Sequence, residues 1–167
     1  MTGRAWVFGD NVDTDALAPG YAIRLPIEEL ARHCLESIDD DFAGAVAAGD
    51  FVVAGVNFGI GSSREQAAEA LRHLGVAAVI ARSFGGIFYR NAFNLGLPAL
   101  VSAEAGRIAA GDVLDLDLEH GQIADRTQGA TFDCEPIAPP LRQLIADGGL
   151  VAQLEKRLAA AKQETTR

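Results

Sequence analysis

The amino-acid sequence predicts an α/β fold, because strand-like and helix-like segments alternate through its first two thirds. The short apolar runs FVVAGV (51–56), GVAAVIA (75–81) and LPALV (97–101) are typical of buried strands. Helical spacing of apolar residues separates them, which predicts a parallel sheet with right-handed crossovers. After Gly111 the alternating pattern DVLDLDLEHGQIAD predicts an antiparallel hairpin with one solvated face, and therefore an added β layer.

The other predicted elements complete a single chain of short units. In order they are a strand over 4–9, a loop over 10–23, a proline-initiated helix over 26–39, a short helix over 40–50, helices over 63–74 and 83–96, a strand over 130–138, and a C-terminal helix from about 139 with a Gly-Gly break. We find no internal repeat and no long linker. Residues 1–167 are therefore expected to form one domain with a frayed tail.

Composition excludes several classes of function. The net charge is −9 and acidic residues are spread along the chain, which argues against sequence-independent binding to nucleic acid. The negative net charge is still compatible with binding of a small anionic ligand, because the charge near a pocket matters more for such binding than the net charge of the chain.

No apolar run approaches the roughly 20 residues of a membrane span, and the N-terminus lacks the apolar core of a signal peptide. We expect a cytoplasmic protein without a membrane partner.

The cysteines and histidines show no pattern of a metal site. Cys34 and Cys134 are far apart in sequence, and two free thiols in a reducing cytosol are favoured over a disulfide. Iron–sulfur clusters usually take three or four thiolates, so this chain alone is not expected to hold one. His33, His73 and His120 lack metal-ligand spacing. No cofactor is expected on this chain, and any metal chemistry would come from another chain.

The segment NFGIGSSREQAAEAL runs from two spaced glycines through two serines and an arginine into a predicted helix. Arg64 would lie in the first helical turn, where the helix dipole disfavours a cation, so we expect an anion nearby. Glycines such as Gly61 let the backbone approach a ligand, and the N–H groups of a helix start attract negative charge. The guanidinium suits a carboxylate. The segment therefore predicts an acid-binding loop with Ser62 and Ser63 close to the ligand.

Four other interpretations explain this loop less completely. A capping box of Ser62 and Glu65 would contribute about 1 kcal/mol, but it explains only those two residues. A dinucleotide fingerprint fails because Arg64 stands at the third glycine position, and a P-loop fails because no Gly-Lys-Ser/Thr follows. A serine hydrolase would have G-x-S-x-G where this chain has GSSRE.

The acidic loop DNVDTD precedes this segment and carries three aspartates. It lacks the glycine and glutamate of an EF-hand calcium loop. An Asx turn accounts for Asp10 and Asn11. Asp13 and Asp15 alternate, so in an extended segment they would face the same way. A carboxylate there could orient a histidine or arginine of a partner.

Four segments taken together carry a family resemblance. GDNVDTDALAPG, NFGIGSSREQA, AVIARSFGGIFYRNAFNLGLPAL and the later GD resemble, in this order, the small subunits of 3-isopropylmalate dehydratase, the separate-chain form of the swivel domain of the aconitase family. The similarity covers roughly 4–136. It implies a swivelling β/β/α three-layer domain, a larger partner chain that carries a [4Fe–4S] cluster, and reversible removal and re-addition of water on a hydroxy acid.

The resemblance also implies roles for residues of the glycine loop. Ser62 would be the general base, as its alkoxide, stabilised by loop N–H groups and the helix start. Ser63 and Arg64 would hold a substrate carboxylate. Gly61, like the glycine two residues before it, would keep the loop open.

Two further roles concern the partner and the substrate. Asp15 would reach across to orient a group of the large subunit. Arg24 lies in the segment GYAIRLP, where related small subunits carry a substrate-discriminating loop, and would contact the substrate. This loop differs from the YLRT-like version associated with isopropylmalate. Many relatives also have Cys and His where this chain has Ile60 and Gln66.

The leading expectation is therefore a subunit of a hydro-lyase that isomerises 3-isopropylmalate and 2-isopropylmalate in leucine biosynthesis. Homoaconitate, citraconate and methyl-substituted malates stay open as substrates. A non-catalytic carboxylate-binding module is the alternative of another class, and a simple hydrolase is a third. Homo-oligomers are possible when the chain is isolated.

Overall fold

A computed structural model describes residues 1–165, with side chains to residue 162, and its centre is a seven-stranded sheet. The strands are β1 (Thr2–Val7), β2 (Phe51–Ala54), β3 (Ala78–Ala81), β4 (Ala99–Val101), β5 (Val113–Asp117), β6 (Gln122–Asp125) and β7 (Ala130–Asp133). Their order across the sheet is β4-β3-β2-β1-β5-β6-β7.

The sheet has a parallel half and an antiparallel half that meet at β1. Strands β1 to β4 pair in parallel, with Ala5 opposite Phe51, whereas β5, β6 and β7 pair antiparallel, with Gly3 opposite Leu114. Every residue of β2 and β3 is buried, and β5 alternates between buried and accessible residues. The predicted buried strands and the predicted hairpin with one solvated face are confirmed.

Seven α-helices connect or follow these strands in the described part of the chain. They are α1 (Thr14–Leu17), α2 (Ile27–Leu30), α3 (Phe42–Ala45), α4 (Gln66–His73), α5 (Gly86–Asn94), α6 (Pro139–Asp147) and α7 (Leu150–Thr165), with 3₁₀ turns at Ala31–His33 and Ala105–Arg107. Gly148 adopts the left-handed conformation that ends α6, which is the predicted Gly-Gly break. Within residues 1–165, no helix has the length and apolarity needed to cross a membrane.

Several predicted boundaries were wrong, and a tertiary contact explains one of them while a local helix cap explains another. The helix predicted over 26–39 ends at His33, because Leu35 adopts a φ of 63° and its N–H donates to Ala16 O at 2.8 Å. The loop predicted over 10–23 contains α1, which begins where the Asp13 carboxylate accepts from two backbone N–H groups. The last strand, predicted to reach residue 138, ends at Asp133.

Two aromatic clusters brace the parallel half. Phe42 is fully buried and meets the rings of Trp6 and Phe8 edge to face, at centroid distances of 5.3 and 5.4 Å. Phe58, just after β2, meets Phe88 of α5 at 5.1 Å. The second cluster lies directly beneath the glycine loop, so the loop rests on rigid core side chains.

Candidate functional site

Two segments meet beyond the carboxyl ends of the neighbouring parallel strands β1 and β2. The first covers 10–15 and the second covers 56–64. Three backbone hydrogen bonds join them, from Asn11 N–H to Val56 O (2.8 Å), from Gly59 N–H to Val12 O (2.7 Å) and from Thr14 N–H to Ile60 O (2.8 Å). Ligands of open α/β sheets bind at this edge, so the structure places the acidic loop and the glycine loop where a site is expected.

A hydrogen-bonded pair of asparagines joins the two segments near the ends of β1 and β2. Asn11 and Asn57 both have positive φ, at 57° and 59°, and the Asn57 side-chain amide donates to Asn11 Oδ1 at 2.9 Å. The Asn57 N–H also donates to Ser83 Oγ beyond β3, at 2.8 Å. Left-handed backbone at residues other than glycine is uncommon and concentrates at functional sites.

The Ser62 side chain contacts Thr14 rather than a helix start. Its Oγ lies 3.1 Å from Thr14 Oγ1, and its N–H donates to the same oxygen at 3.0 Å. The alternative interpretation as a capping box is excluded, because α4 begins at Gln66 with Glu65 at the N-cap and no side-chain cap. Ser62 is exposed whereas Thr14 is buried, so a buried side chain supports a serine at the surface.

Arg64 binds Asp15 of the same chain. Its Nη1 donates to Asp15 Oδ1 at 2.6 Å and to the Ala18 carbonyl at 2.8 Å, and Gly20 N–H donates to the same carboxylate oxygen at 3.0 Å. The hydrogen bond from Arg64 and then that from Gly20 hold the pKa of Asp15 below its ordinary value. The expectation that Arg64 lies in the first helical turn was wrong, and Asp15 supplies an anion for its guanidinium.

Several hydrogen-bond donors around this loop are not used inside the chain. Within the described residues, the N–H groups of residues 63–66 donate to no protein acceptor, and both bonds of the Arg64 guanidinium start from Nη1, which leaves Nη2 free. Ser63 is exposed beside them. Consecutive N–H groups in the segment that leads into a helix, together with a guanidinium, form an arrangement suited to a carboxylate.

The discriminating-loop candidate Arg24 is exposed, and no hydrogen bond joins it to the glycine loop in the described part of the chain. The segment that contains Arg24 instead contacts the residues after α2. The Tyr21 hydroxyl contacts His33 Nδ1 at 3.1 Å and donates to the Glu36 carboxylate, which raises the pKa of Tyr21. The structure thus gathers Asp15, Gly61, Ser62, Ser63 and Arg64 at one edge and leaves Arg24 on the flanking turn.

Sequence reasoning missed Thr14, the asparagine pair and the Tyr21 contact. The expectation that Asp13 and Asp15 face the same way in an extended segment does not apply, because α1 begins at Thr14 and the Asp13 carboxylate caps it. Thr14 is 3% exposed and contacts Ser62. All of these contacts join residues distant in sequence, and no local pattern indicated them.

The two cysteines of the described residues are poorly suited to bind an iron–sulfur cluster. Cys34 and Cys134 are free and buried, and burial raises the pKa of both thiols, that of Cys134 to about 11. A cluster needs several thiolates, which burial disfavours. Within the residues described, the one group of three possible ligands is the run of carboxylates at Asp39–Asp41, whose oxygens suit hard cations.

Comparison with known proteins shows the family of this chain. The aconitase C-terminal domain family matches residues 36–105. The 3-isopropylmalate dehydratase small subunit 2 of Archaeoglobus fulgidus is 48% identical over 158 residues, which cover 93% of this chain and 95% of that protein. The small subunit 1 of Thermotoga maritima is 46% identical over the same shares of the two chains.

Two further similarities bear on substrate and fold. The methanogen homoaconitase small subunit of Methanothermobacter thermautotrophicus is 48% identical, over 90% of this chain and 88% of that protein. The crystal structure of 3-isopropylmalate dehydratase from Methanocaldococcus jannaschii matches with a TM-score of 0.92 and 44% identity, over 98% of both chains. These similarities confirm the predicted fold class and the family resemblance.

Proposed function

This chain belongs to the dehydratase small subunits of the aconitase family, and from that premise we propose that it isomerises a hydroxy acid by dehydration and rehydration together with a larger subunit. The proposed substrate pair is 3-isopropylmalate and 2-isopropylmalate of leucine biosynthesis. Homoaconitate is the second candidate, because the homoaconitase small subunit has the same 48% identity as the A. fulgidus dehydratase subunit. Identity alone therefore does not separate the two substrates.

A single observation carries the proposal. The exposed residue Ser62 is followed directly by residues 63–66, whose N–H groups are unused, and these include Arg64 with its free Nη2. A dehydration next to a carboxylate needs a base for a weakly acidic C–H bond and donors that hold that carboxylate. This loop offers both within a few residues.

The proposed reaction assigns one role to each group. Ser62, as its alkoxide, takes the proton from the carbon beside the carboxylate, and the C–H electron pair forms a carbon–carbon double bond while hydroxide leaves the neighbouring carbon. Ser63 and Arg64 hold the carboxylate, and Gly61 keeps the backbone open to the substrate. In the return step, hydroxide adds to the carbon that lost the proton, and Ser62 gives its proton to the carbon that lost the hydroxide, which yields the isomer and restores the Ser62 alkoxide.

The departing hydroxide requires a Lewis acid that the described residues do not provide. We propose that the larger partner chain supplies it as a [4Fe–4S] cluster. The proposal is supported by the small-subunit naming of the relatives and by the poor fit of Cys34 and Cys134 to such a cluster. The two free thiols also favour a reducing, cytoplasmic location.

Asp15 and Arg24 have proposed roles at the edges of the site. Both hydrogen bonds to Asp15 use Oδ1, and the side chain is 67% exposed, so Oδ2 is available to orient a group of the large subunit. Arg24 is exposed on the turn that Gly20 and Asp15 tie to Arg64, from where it would contact the substrate. We further propose that residues 1–167 form one domain, since all seven strands belong to one sheet.

Co-expression with a candidate large subunit tests the function. We expect the purified pair to hydrate or dehydrate acids from a panel of 3-isopropylmalate, homoaconitate, citraconate and methyl-substituted malates. The Ser62→Ala pair should assemble normally and lose activity, whereas Ser37→Ala, at another exposed serine, should keep it. Full activity of Ser62→Ala would remove Ser62 from the role of base.

The rival function predicts a different result. A carboxylate-binding module would bind a dicarboxylate tightly as the isolated chain and would need no cluster protein. Calorimetry of the isolated chain with the same acids measures this directly. Tight binding without the partner, combined with an inactive pair, would favour the module.

A further inference from the structure

Thr14 makes three hydrogen bonds to the loop that carries Ser62. Its N–H donates to Ile60 O at 2.8 Å, its Oγ1 accepts from Ser62 N–H at 3.0 Å, and the two hydroxyl oxygens lie 3.1 Å apart. The side chain sits in α1, on the other segment of the site, and is 3% exposed. Thr14 is thus the main buried polar support beneath Ser62.

The direction of the hydroxyl–hydroxyl bond follows from counting protons. Oγ1 of Thr14 already accepts from a backbone N–H, and its own proton must find an acceptor because the side chain is buried. Within the described residues, the acceptor in reach is Ser62 Oγ. The Thr14 hydroxyl therefore donates, and the Ser62 proton is left to point towards solvent and substrate.

We infer that Thr14 is a positioning residue of this site, whose hydroxyl donates to Ser62 Oγ and stabilises the negative charge that forms there. This inference rests on the proposed function. The 3.1 Å separation is longer than the roughly 2.7–2.8 Å of an ordinary hydroxyl pair. A hydrogen bond to a charged oxygen is shorter and stronger, so this contact gains strength as Ser62 loses its proton. That difference is what favours the alkoxide.

Gly61 keeps space for this contact. A Cβ atom there would lie 2.8 Å from Thr14 Oγ1, and the residue has a φ of 116°. Any residue with a Cβ atom would clash with the Thr14 hydroxyl and strain the backbone. The glycine before Ser62 thus serves the hydroxyl pair directly, in addition to opening the loop to a ligand.

Substitutions of Thr14 in the assembled two-subunit enzyme test the inference. Thr14→Val keeps the shape and removes the hydroxyl, and we expect kcat to fall about a hundredfold, as for loss of one donor to a developing oxyanion, with little change in KM. Thr14→Ser restores the donor and should return kcat to within severalfold of the wild type. Thr127→Val is the matched control, because that hydroxyl also accepts a backbone N–H, from Val113 at 2.8 Å, but lies in the antiparallel half.

The pH profile separates positioning from a merely structural role. The pH at which kcat/KM reaches its plateau should rise in Thr14→Val, since the alkoxide is less stabilised, and return in Thr14→Ser. An unchanged kcat and profile in Thr14→Val, beside an inactive Ser62→Ala, would overturn the inference while leaving the proposed function intact. An inactive wild-type pair would instead reject the proposed function, and the inference with it.

A measurement on the wild-type chain covers the case in which Thr14→Val does not fold. The Thr14 hydroxyl proton should appear in NMR spectra as a slowly exchanging resonance, with a nuclear Overhauser effect to the Ser62 β protons. Ser62→Ala should speed its exchange. A proton that exchanges at the rate of an exposed hydroxyl would contradict the donor assignment.

Discussion

Nη1 of Arg64 lies 2.6 Å from Oδ1 of Asp15, and this ion pair joins the two loops of the site. The carboxylate is 67% exposed, and exposed ion pairs contribute little stability. The main effect of the contact is therefore to orient the Arg64 guanidinium. It directs Nη1 to Asp15 and Ala18 and leaves Nη2 for a second anion, which a substrate carboxylate would provide.

Asp15 should titrate below its ordinary value of 3.8 because the Arg64 hydrogen bond favours the charged carboxylate. Arg64→Gln should return the pKa towards that value, and carboxyl ¹³C chemical shifts measured against pH would show both. Since the folded-state pKa is the lower one, the contact contributes stability above the unfolded pKa and loses it as pH falls through the folded value. A wild-type Asp15 titrating at or above 3.8 would exclude the pair in solution.

Replacing Arg64 by lysine should raise KM for the substrate about 10- to 100-fold in the two-subunit enzyme. Lysine keeps the charge but not the planar fork that can hold Asp15 and a substrate carboxylate together. Arg126→Lys is the matched control, because Arg126 also pairs with an aspartate, Asp115 at 2.5 Å, but in the antiparallel half. Equal KM values for Arg64→Lys and wild type would separate Arg64 from substrate binding.

The central strands of the parallel half were predictable because β2 and β3 lie within short apolar runs and all of their residues are buried. The predicted runs over 51–56 and 75–81 are longer than the strands, and β1 has a single buried residue. The start of α4 was not predictable, since local propensity favoured Ser62 as a cap while Thr14, distant in sequence, takes the Ser62 N–H. The predicted end of the helix that begins near residue 26 was wrong for a similar reason, because the Leu35 N–H bonds to Ala16 O, which is distant in sequence.

The sequence indicated the glycine loop as a candidate site, but it did not indicate the contacts within that site. The residue types of the glycine loop indicated an acid-binding site. Arg64 was attributed to an external anion, however, and the structure pairs it with Asp15. A tertiary ion pair has no local pattern, because its two residues come from different loops that only the sheet brings together.

The two thiols should react differently with a thiol reagent such as Ellman's. Cys34 is fully buried, and Cys134 is 9% exposed with a pKa raised to about 11 by burial and by the neighbouring carboxylates. Both therefore stay protonated near neutral pH and should react slowly in the native chain, Cys134 before Cys34. The Cys134→Ser variant shows which of the two reaction phases belongs to Cys134, because that phase should disappear. In denaturant without reductant, two thiols should be counted, and fewer would reveal a disulfide.

Gly59→Ala should destabilise the chain by about 2–4 kcal/mol, from overpacking plus a positive-φ cost. Gly59 has a φ of 73°, and a Cβ there would lie 2.2 Å from Cγ of the buried Phe88. Gly86→Ala is the matched control, since Gly86 opens α5 with negative φ and nothing lies within 4 Å of its added Cβ. Denaturant unfolding of both variants measures the difference.

The same pair of variants also tests how the loop depends on the core. Phe88 packs edge to face on Phe58, so pressure from residue 59 must either displace that ring pair or lift the loop. If the loop lifts, the hydrogen bond from Gly59 N–H to Val12 O is lost, and activity of the assembled enzyme should fall together with stability. Gly59→Ala with wild-type stability would show that the loop is not seated on Phe88.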